Sequence, residues 1–193
     1  SDSNKDGGIV SSQWSVYKSQ IALFSTGRKH DINISFFHGR GGTISRGGGP
    51  TYNSILSQPK GTINNAIRYT EQGEVISDKY STANLAIENL KLGLFAFFKA
   101  NKTKNHEIKH EHSFLDELSK LSSQKYKSLI NDENLIYYFE SVTPVNLLSV
   151  LNIGSRPSKR SKVSSVKNYR AIPWVFGWAQ TRQTITGWYG SGS

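Results

Sequence analysis

A glycine-dense segment with two arginines is the part of the sequence that most clearly predicts chemistry. It covers residues 39–49, with Arg40 and Arg46 inside it and His38 immediately before it. Glycines let a backbone approach a phosphate closely, and guanidinium groups bind phosphate or carboxylate through paired hydrogen bonds. The spacing lacks the lysine of a nucleotide-binding P-loop and the third glycine of the dinucleotide pattern. The segment therefore predicts an anion site of another kind.

Positive charge is concentrated toward the end of the chain. Residues 141–193 carry seven basic side chains and no acidic one, within a formal net charge of +10 for the whole sequence. Such a block can bind nucleic acid, an anionic membrane or a small anionic substrate, and charge alone leaves all three open. Trp174 and Trp178 lie nearby in an apolar segment, which predicts core packing rather than stacking on bases.

Two further motifs are less specific. Asp2 lies three residues before Lys5, a spacing that can hold a divalent cation beside a phosphate-binding ammonium, although charged strings are more often solvated turns. The letters HEIKH at 106–110, followed by His112, spell the zinc-protease motif HExxH. Because the flanking residues are charged and polar, we interpret residues 101–112 as an exposed connector instead.

The predicted elements place the glycine-dense segment between a strand and a helix. Apolar residues recur at helical spacing from Val10 to Phe24, and residues 32–36 alternate with the period of a strand. Pro50 suits the first turn of a short helix, and residues 66–70 are a second strand candidate. These neighbours disfavour the interpretation of the segment as a flexible surface linker.

Longer helical patterns follow. A helix is predicted over 82–100, with an apolar stripe formed by Leu85, Ile87, Leu90, Leu94, Phe97 and Phe98. Helical patterns resume around 114–121 and 135–139, and residues 151–155 look like a strand that enters the basic segment. Strands separated by long helices favour an α/β architecture with parallel strands, in which active sites lie just past the strand ends.

Composition excludes several classes of site. The sequence has no Cys, which excludes disulfides, thiolate metal sites and a cysteine nucleophile. It has no apolar run near the ~20 residues of a membrane span and no visible secretory signal. It also has no Met, even at position 1. We therefore expect a piece of a longer cytoplasmic polypeptide.

Separate blocks of the sequence resemble the phosphoenolpyruvate carboxylase family. They are SDSNKDGG at 1–8, FHGRGGT and RGGGPT within 37–51, TEQGEVI at 70–76, NIGSRPSKR at 152–160 and RAIPWVFGWAQTR at 170–182. Together they span almost the whole chain and leave residues 101–112 as the poorest match. Several blocks in the right order are stronger evidence than any single motif.

The resemblance implies an α/β fold, namely part of a phosphoenolpyruvate-binding TIM-type barrel with many additional helices. Residues 1–193 would be one catalytic-domain fragment, truncated at both ends. The implied reaction carboxylates phosphoenolpyruvate with bicarbonate, through carboxyphosphate and an enolate, to oxaloacetate and phosphate. The resemblance also implies Mg²⁺ or Mn²⁺, a homotetrameric parent protein in the cytoplasm, allosteric inhibition by aspartate, and no nucleic-acid or membrane partner.

The resemblance also implies roles for individual residues in the matching blocks. The resemblance implies that Asp2 is a carboxylate ligand of the metal and that Lys5 lies beside the substrate and the metal. It places His38 at the bicarbonate and carboxyphosphate position.

Four arginines carry over in the same way. Arg40, Arg156 and Arg170 would bind the phosphate and carboxylate of the substrate. Arg46 would complete the glycine-dense segment, where the family also senses aspartate. Further metal, catalytic and aspartate-binding residues of the family would lie outside residues 1–193.

Three other functions remain open on the sequence. The basic tail could belong to a nucleic-acid-binding module, whose affinity would fall steeply with ionic strength. The HExxH motif could belong to a metalloprotease, which zinc content after dialysis would identify. The blocks could belong to another phosphoenolpyruvate enzyme, which kinetics would distinguish.

The first prediction concerns the isolated chain. Because several implied site residues lie outside it, we expect the 193-residue chain to fold poorly and to make no oxaloacetate from phosphoenolpyruvate, bicarbonate and Mg²⁺. The measurement is oxidation of NADH through malate dehydrogenase. A bicarbonate-dependent rate from the purified chain would show the prediction to be wrong.

Overall fold

The computed structural model describes residues 2–39, 48–63, 66–102, 109–148, 150–151, 157–161, 165–181 and 187–192. The helices there are α1 (Asp2–Gly7), α2 (Ile9–Lys29), α3 (Thr51–Leu56), α4 (Gly73–Tyr80), α5 (Ala83–Lys102), α6 (Lys109–Ile130), α7 (Leu135–Val142), α8 (Val145–Leu148) and α9 (Ala171–Gln180). The strands are β1 (Phe37–Gly39) and β2 (Arg68–Thr70), and a 3₁₀ turn covers Val166–Asn168. The chain divides into unit 1, residues 1–14 and 110–193, and unit 2, residues 15–109.

The strands of unit 2 form a small parallel sheet. His38 is in register with Tyr69, and Gly39 with Thr70. The described structure is therefore mostly helical with a small parallel sheet, which agrees with the predicted α/β class. Because parallel strands end at the same edge, Gly39 at the end of β1 and Thr70 at the end of β2 lie side by side.

The strand predicted over residues 32–36 is wrong, because the strand begins at Phe37. The N–H of Ile32 donates instead to the carbonyl of Gly27 at 2.9 Å. A Cβ on Gly27 would lie 2.8 Å from Cδ1 of Ile34, so this side chain packs directly against the glycine backbone. The alternating pattern thus serves packing on the end of α2 rather than sheet pairing. The helices predicted from Val10 to Phe24 and after Pro50 are confirmed as α2 and α3.

The core of unit 2 is thin. Ile55 of α3, Ile63 and Ala96 of α5 are its buried members. The helix predicted over 82–100 is confirmed as α5, but most of its predicted apolar stripe does not face this core. Leu85, Ile87, Leu90, Leu94 and Phe98 are between 45% and 61% exposed. The contact with α3 uses the side of α5 that carries Ala96, so the wider stripe stays in solvent.

Unit 1 has a dense aromatic core. Phe139 of α7 is fully buried, with its ring centroid 4.6 Å from that of Trp174 and 4.9 Å from that of Trp178. Tyr169 meets the same ring edge-on at 5.3 Å. The prediction that both tryptophans belong to the core is confirmed, since each is 1% exposed.

Residues 101–112 were expected to be one exposed connector. The structure continues α5 to Lys102 and begins α6 at Lys109, while residues 103–108 lie outside the described residues. The strand expected at 151–155 also falls largely outside them. That both units belong to one catalytic domain stays a prediction. Within the described ranges, no helix combines the length and hydropathy needed to cross a membrane.

The second prediction concerns Gly177 of α9. A Cβ there would lie 2.8 Å from two ring carbons of Phe139, which is held between Trp174 and Tyr169 and cannot move away. Overpacking costs ~1–3 kcal/mol and the gain in helix propensity returns at most ~1 kcal/mol. Gly177→Ala should therefore lower the free energy of unfolding of unit 1 by about 1 kcal/mol.

Urea unfolding followed by tryptophan fluorescence measures this change. The titration uses the full-length polypeptide, because the isolated chain is expected to fold poorly, and the four tryptophans of residues 1–193 all lie in unit 1. Gly7→Ala is the matched control, because a Cβ on Gly7 would make only an ordinary 3.7 Å contact. A Gly177→Ala variant as stable as the unsubstituted chain would contradict the packing argument.

Candidate functional site

The structure describes part of the predicted site. Lys5 and Arg170 lie in unit 1 and His38 in unit 2. Asp2 is the first residue of α1, but its side chain lies outside the description. Arg40, Arg46 and Arg156 lie outside the described residues.

Lys5 is a buried ammonium on a short helix. The side chain is 0% exposed, and Nζ lies 2.6 Å from Oδ1 of Asp6 and donates to the carbonyl of Val166 at 3.2 Å. A buried charge is costly unless it is paired, and Asp6 supplies the pairing. An ammonium has three N–H donors, and only these two have acceptors among the described residues. The third is available to an anion.

The turn after α1 fixes Lys5 in this place. Gly8 adopts φ +81°, which strains residues with a side chain, and a Cβ there would lie 3.3 Å from the ring of Tyr126. The N–H of Ile9 donates to the carbonyl of Gly187 at 2.7 Å. The solvated turn considered for the charged string is thus a helix with a buried lysine.

A pocket of about 530 Å³ opens beside the Lys5–Asp6 pair. Three of the lining residues are cationic and one is a carboxylate. The lining consists of Asp6, Lys127, Ile130, Asn131, Arg160, Val166 and Lys167. Because the carboxylate is already paired with Lys5, the lining favours an anion over a cation.

Arg170 is held by a short antiparallel ladder. The bridge pairs Lys159 with Tyr169, and the N–H of Arg170 donates to the carbonyl of Ser158 at 3.0 Å. Nε of Arg170 donates to the carbonyl of Pro157 at 2.9 Å. The ladder therefore brings Arg170 to Pro157, the residue that follows Arg156 in the sequence.

A carboxylate from α7 holds this ladder. Oε1 of Glu140 accepts hydrogen bonds from Nζ of Lys159 at 2.9 Å and from the hydroxyl of Tyr169 at 2.7 Å. The same Nζ lies 4.6 Å from the centroid of the Tyr169 ring, within the range of a cation–π contact. We call Glu140, Lys159 and Tyr169 the Glu140 clamp.

The clamp favours the protonated forms of both donors. Burial raises the pKa of Tyr169, and Glu140 raises it further, whereas Lys159 acts in the opposite direction. Burial acts to lower the pKa of Lys159, but hydrogen bonds to Tyr169 and Glu140 outweigh it and raise that pKa. Burial also raises the pKa of Tyr126 in the same unit.

A second lysine pair lies at the end of the glycine-dense segment. Nζ of Lys79 lies 2.5 Å from Oε1 of Glu71, just after β2, and donates to Oγ1 of Thr51 at 2.8 Å. Thr51 begins α3 and closes the glycine-dense segment. His38, at the other end, is half-buried with its ring 5.5 Å from that of Tyr69. The two residues that flank the segment are therefore held near the end of β2. His38 contacts Tyr69 directly, and Thr51 is linked to Glu71 through Lys79.

The zinc-protease motif falls mainly on residues outside the description. Only His112 of its histidines has a described side chain, and its ring meets Trp14 edge-on at 5.3 Å. Within the described side chains, no group of three or more metal-ligating residues occurs. The interpretation of the motif as a connector stays a prediction.

Sequence reasoning missed the carboxylates that hold the site. Asp6, Glu71 and Glu140 were not singled out, although each pairs with a lysine. The sequence offered one sign of Glu140, since it is the last acidic residue and precedes a stretch with seven basic residues and no acidic one.

Comparison with known proteins gives a consistent result. The profile of the family described as phosphoenolpyruvate carboxylase matches residues 1–193. The chain is 44% identical over 197 residues to the phosphoenolpyruvate carboxylase of Bradyrhizobium diazoefficiens, 43% to that of Mycobacterium leprae and 45% to that of Corynebacterium glutamicum. Each match covers 100% of this chain and 21% of the relative, so the chain spans about a fifth of the length of these relatives.

The third prediction concerns alkaline pH. Folding raises the pKa values of Lys159 and Tyr169, so the folded state binds their protons more tightly than the unfolded state. The resulting stabilisation is complete below pH ~10, the ordinary pKa range of these groups, and is lost as the pH rises through the folded values. Unit 1 should therefore lose stability above pH ~10.

Urea titrations of the full-length polypeptide at pH 8 and pH 11, followed by tryptophan fluorescence, measure the loss. Tyr169→Phe should be less stable at pH 8 by about 1 kcal/mol, because a hydrogen bond is removed, and should lose less stability toward pH 11. Some loss should remain because the pKa of Tyr126 is raised as well. An equally steep loss in the variant would contradict the role of the clamp.

Proposed function

Because the chain belongs to the phosphoenolpyruvate carboxylase family, we propose that it is a segment of an enzyme that carboxylates phosphoenolpyruvate to oxaloacetate. The family match over residues 1–193 is the observation that carries this proposal. The full-length polypeptide would take phosphoenolpyruvate and bicarbonate and release oxaloacetate and phosphate.

The reaction requires two anions to be held together. An oxygen of bicarbonate attacks the phosphorus of phosphoenolpyruvate, and the enolate oxygen leaves, which gives carboxyphosphate and the enolate of pyruvate. Carboxyphosphate then breaks into carbon dioxide and phosphate, and the enolate carbon captures the carbon dioxide. Fixed cations stabilise the charge that develops on the enolate and on the transferring phosphoryl group.

The described cations of unit 1 suit that demand. Lys5 is buried and keeps one N–H donor without a described acceptor, and Arg170 makes its side-chain hydrogen bond only to a carbonyl among the described residues. Neither cation is fully satisfied by the described protein groups. Following the family blocks, we assign Arg40, Arg156 and Arg170 to the phosphate and carboxylate of phosphoenolpyruvate, and Lys5 to a position beside the substrate and the metal.

The remaining assignments follow the family blocks. His38 would line the bicarbonate and carboxyphosphate position, at the carboxyl end of β1. Arg46 would complete the glycine-dense segment and take part in inhibition by aspartate.

A divalent metal belongs to the proposal. Asp2 offers a hard oxygen ligand of the kind that Mg²⁺ and Mn²⁺ prefer, but the described residues do not complete a metal site. The other ligands would come from residues outside the description, from the substrate and from water. When bound, the metal would stabilise negative charge on the enolate oxygen.

The finer features of the family are proposed with the reaction. The two units would be parts of one phosphoenolpyruvate-binding barrel with additional helices. The full-length enzyme would be a cytoplasmic homotetramer. The parallel pair of β1 and β2 fits a barrel of parallel strands and supports this proposal.

The nucleic-acid alternative receives less support from the structure. Tyr169, Trp174 and Trp178, which lie near the basic residues in sequence, are all buried. Buried rings cannot stack on bases, so the cations there suit a small anion better.

The fourth prediction tests the reaction and the site together. The full-length polypeptide should form oxaloacetate only when phosphoenolpyruvate, bicarbonate and Mg²⁺ are all present, measured through malate dehydrogenase and NADH. Arg40→Ala and Lys5→Met should each lower kcat/KM by ~100-fold or more, because each removes a fixed cation from the reacting anions. Lys5→Met should still fold, because the Asp6 side chain is 54% exposed and water can solvate its carboxylate once the lysine is removed.

Lys91→Met is the matched control, because Lys91 is 67% exposed and pairs with an equally exposed carboxylate. It should keep the unsubstituted rate. Full activity in Arg40→Ala would keep the function and refute that assignment. A folded, full-length protein without activity would refute the proposed reaction and direct attention to other phosphoenolpyruvate enzymes.

A further inference from the structure

We propose that Glu140 is a positioning residue for substrate binding, because its carboxylate holds the ladder that places Arg170 beside the segment following Arg156. The inference rests on the proposed function, in which both arginines bind phosphoenolpyruvate. It assigns to Glu140 a role that needs no contact with the substrate.

The contacts form a continuous chain from α7 to Arg170. Oε1 of Glu140 accepts from Lys159 at 2.9 Å and from Tyr169 at 2.7 Å, one on each side of the ladder. A single oxygen therefore ties the two ladder strands together. Beyond it, the ladder continues with the N–H of Arg160 donating to the carbonyl of Asn168 at 2.7 Å.

The next residue on one strand is Arg170 itself. Its backbone N–H and its Nε donate to the carbonyls of Ser158 and Pro157, at 3.0 Å and 2.9 Å. The guanidinium is thus oriented by the backbone of the opposite strand. If that strand shifts, the guanidinium shifts with it, and the backbone next to Arg156 shifts as well.

The Glu140 clamp also determines which of the nearby cations is neutralised by a carboxylate. Residues 141–193 contain no acidic residue, so a carboxylate for their cations must come from elsewhere, and Glu140 precedes this stretch directly. Glu140 pairs with Lys159, whereas no described carboxylate pairs with Arg170. The acid therefore neutralises the lysine that supports the ladder and leaves the charge of Arg170 for an anion.

The α7 helix is suited to hold this carboxylate still. Phe139, the preceding residue, is fully buried among Trp174, Trp178 and Tyr169. The backbone of Glu140 is therefore anchored in the core while its side chain reaches the ladder. A positioning group needs this support, because small displacements of binding groups cost much of their effect.

The test uses the full-length polypeptide and steady-state kinetics. Glu140→Gln keeps the shape of the side chain and removes its charge, so the ladder should loosen without loss of the core. The KM for phosphoenolpyruvate should rise about tenfold, while kcat stays within about twofold and the KM for bicarbonate is unchanged. Tyr169→Phe removes one hydrogen bond and keeps the ring, and should raise the KM for phosphoenolpyruvate about threefold.

Glu133→Gln is the matched control. It removes the same charge from an exposed carboxylate seven residues earlier in the chain and should leave all constants unchanged. A purely structural role would lower the fraction of folded enzyme, and so the apparent kcat, without changing the KM for phosphoenolpyruvate.

The outcomes separate the two proposals. An active unsubstituted enzyme whose KM for phosphoenolpyruvate is unaffected in Glu140→Gln, or whose two KM values rise equally, overturns the positioning role and keeps the function. If Glu140→Gln does not fold, Tyr169→Phe decides, and an unchanged KM in that variant overturns the role. An inactive unsubstituted enzyme overturns the proposed function and this inference with it.

Discussion

Positive charge that leaves water must be paired, and this constraint organises the described parts of both units. A lysine without water or a carboxylate would lose its proton or open the structure to solvent. In the described residues, three shielded lysines each meet one carboxylate: Lys5 with Asp6, Lys79 with Glu71 and Lys159 with Glu140. The exposed pair on α5, by contrast, contributes little, because water already solvates both of its charges.

Each shielded pair includes or supports a segment to which the proposed function assigns substrate-binding groups. Lys5 is itself one of the proposed groups. Lys79 binds Thr51 at the start of α3, and Lys159 belongs to the ladder that carries Arg170. Lys79 and Lys159, which support the fold, each pair with a carboxylate, whereas no carboxylate among the described residues pairs with Arg170. A site that binds anions needs this division, since a cation that is already neutralised binds a substrate weakly.

The sequence predicted the local elements better than their partners. Apolar spacing predicted α2 and α5 because a helical period is visible within a few turns. It failed at residues 32–36, because an alternating pattern looks the same whether the segment pairs in a sheet or packs on Gly27. The apolar stripe on α5 was predicted from the same spacing, but the period of a helix cannot tell how much of the stripe is covered.

The residues of the candidate site also differ in how far the sequence could predict them. The resemblance assigns roles to the cations of the site, and the apolar segment around Trp174 and Trp178 predicted their place in the core. The carboxylates could not be predicted, because Glu71 and Glu140 lie 8 and 19 residues from their lysines and meet them only through the tertiary fold. The acid-free stretch after Glu140 was the signal that could have pointed to it.

The central claim is that the full-length enzyme transfers the phosphoryl group of phosphoenolpyruvate to bicarbonate. Oxygen-18 in bicarbonate tests it most directly, with mass spectrometry of both products. The account predicts that one labelled oxygen appears in the phosphate and the other two in the new carboxyl group of oxaloacetate, since bicarbonate attacks phosphorus before carbon dioxide is released. Phosphate whose new oxygen comes from water would contradict it.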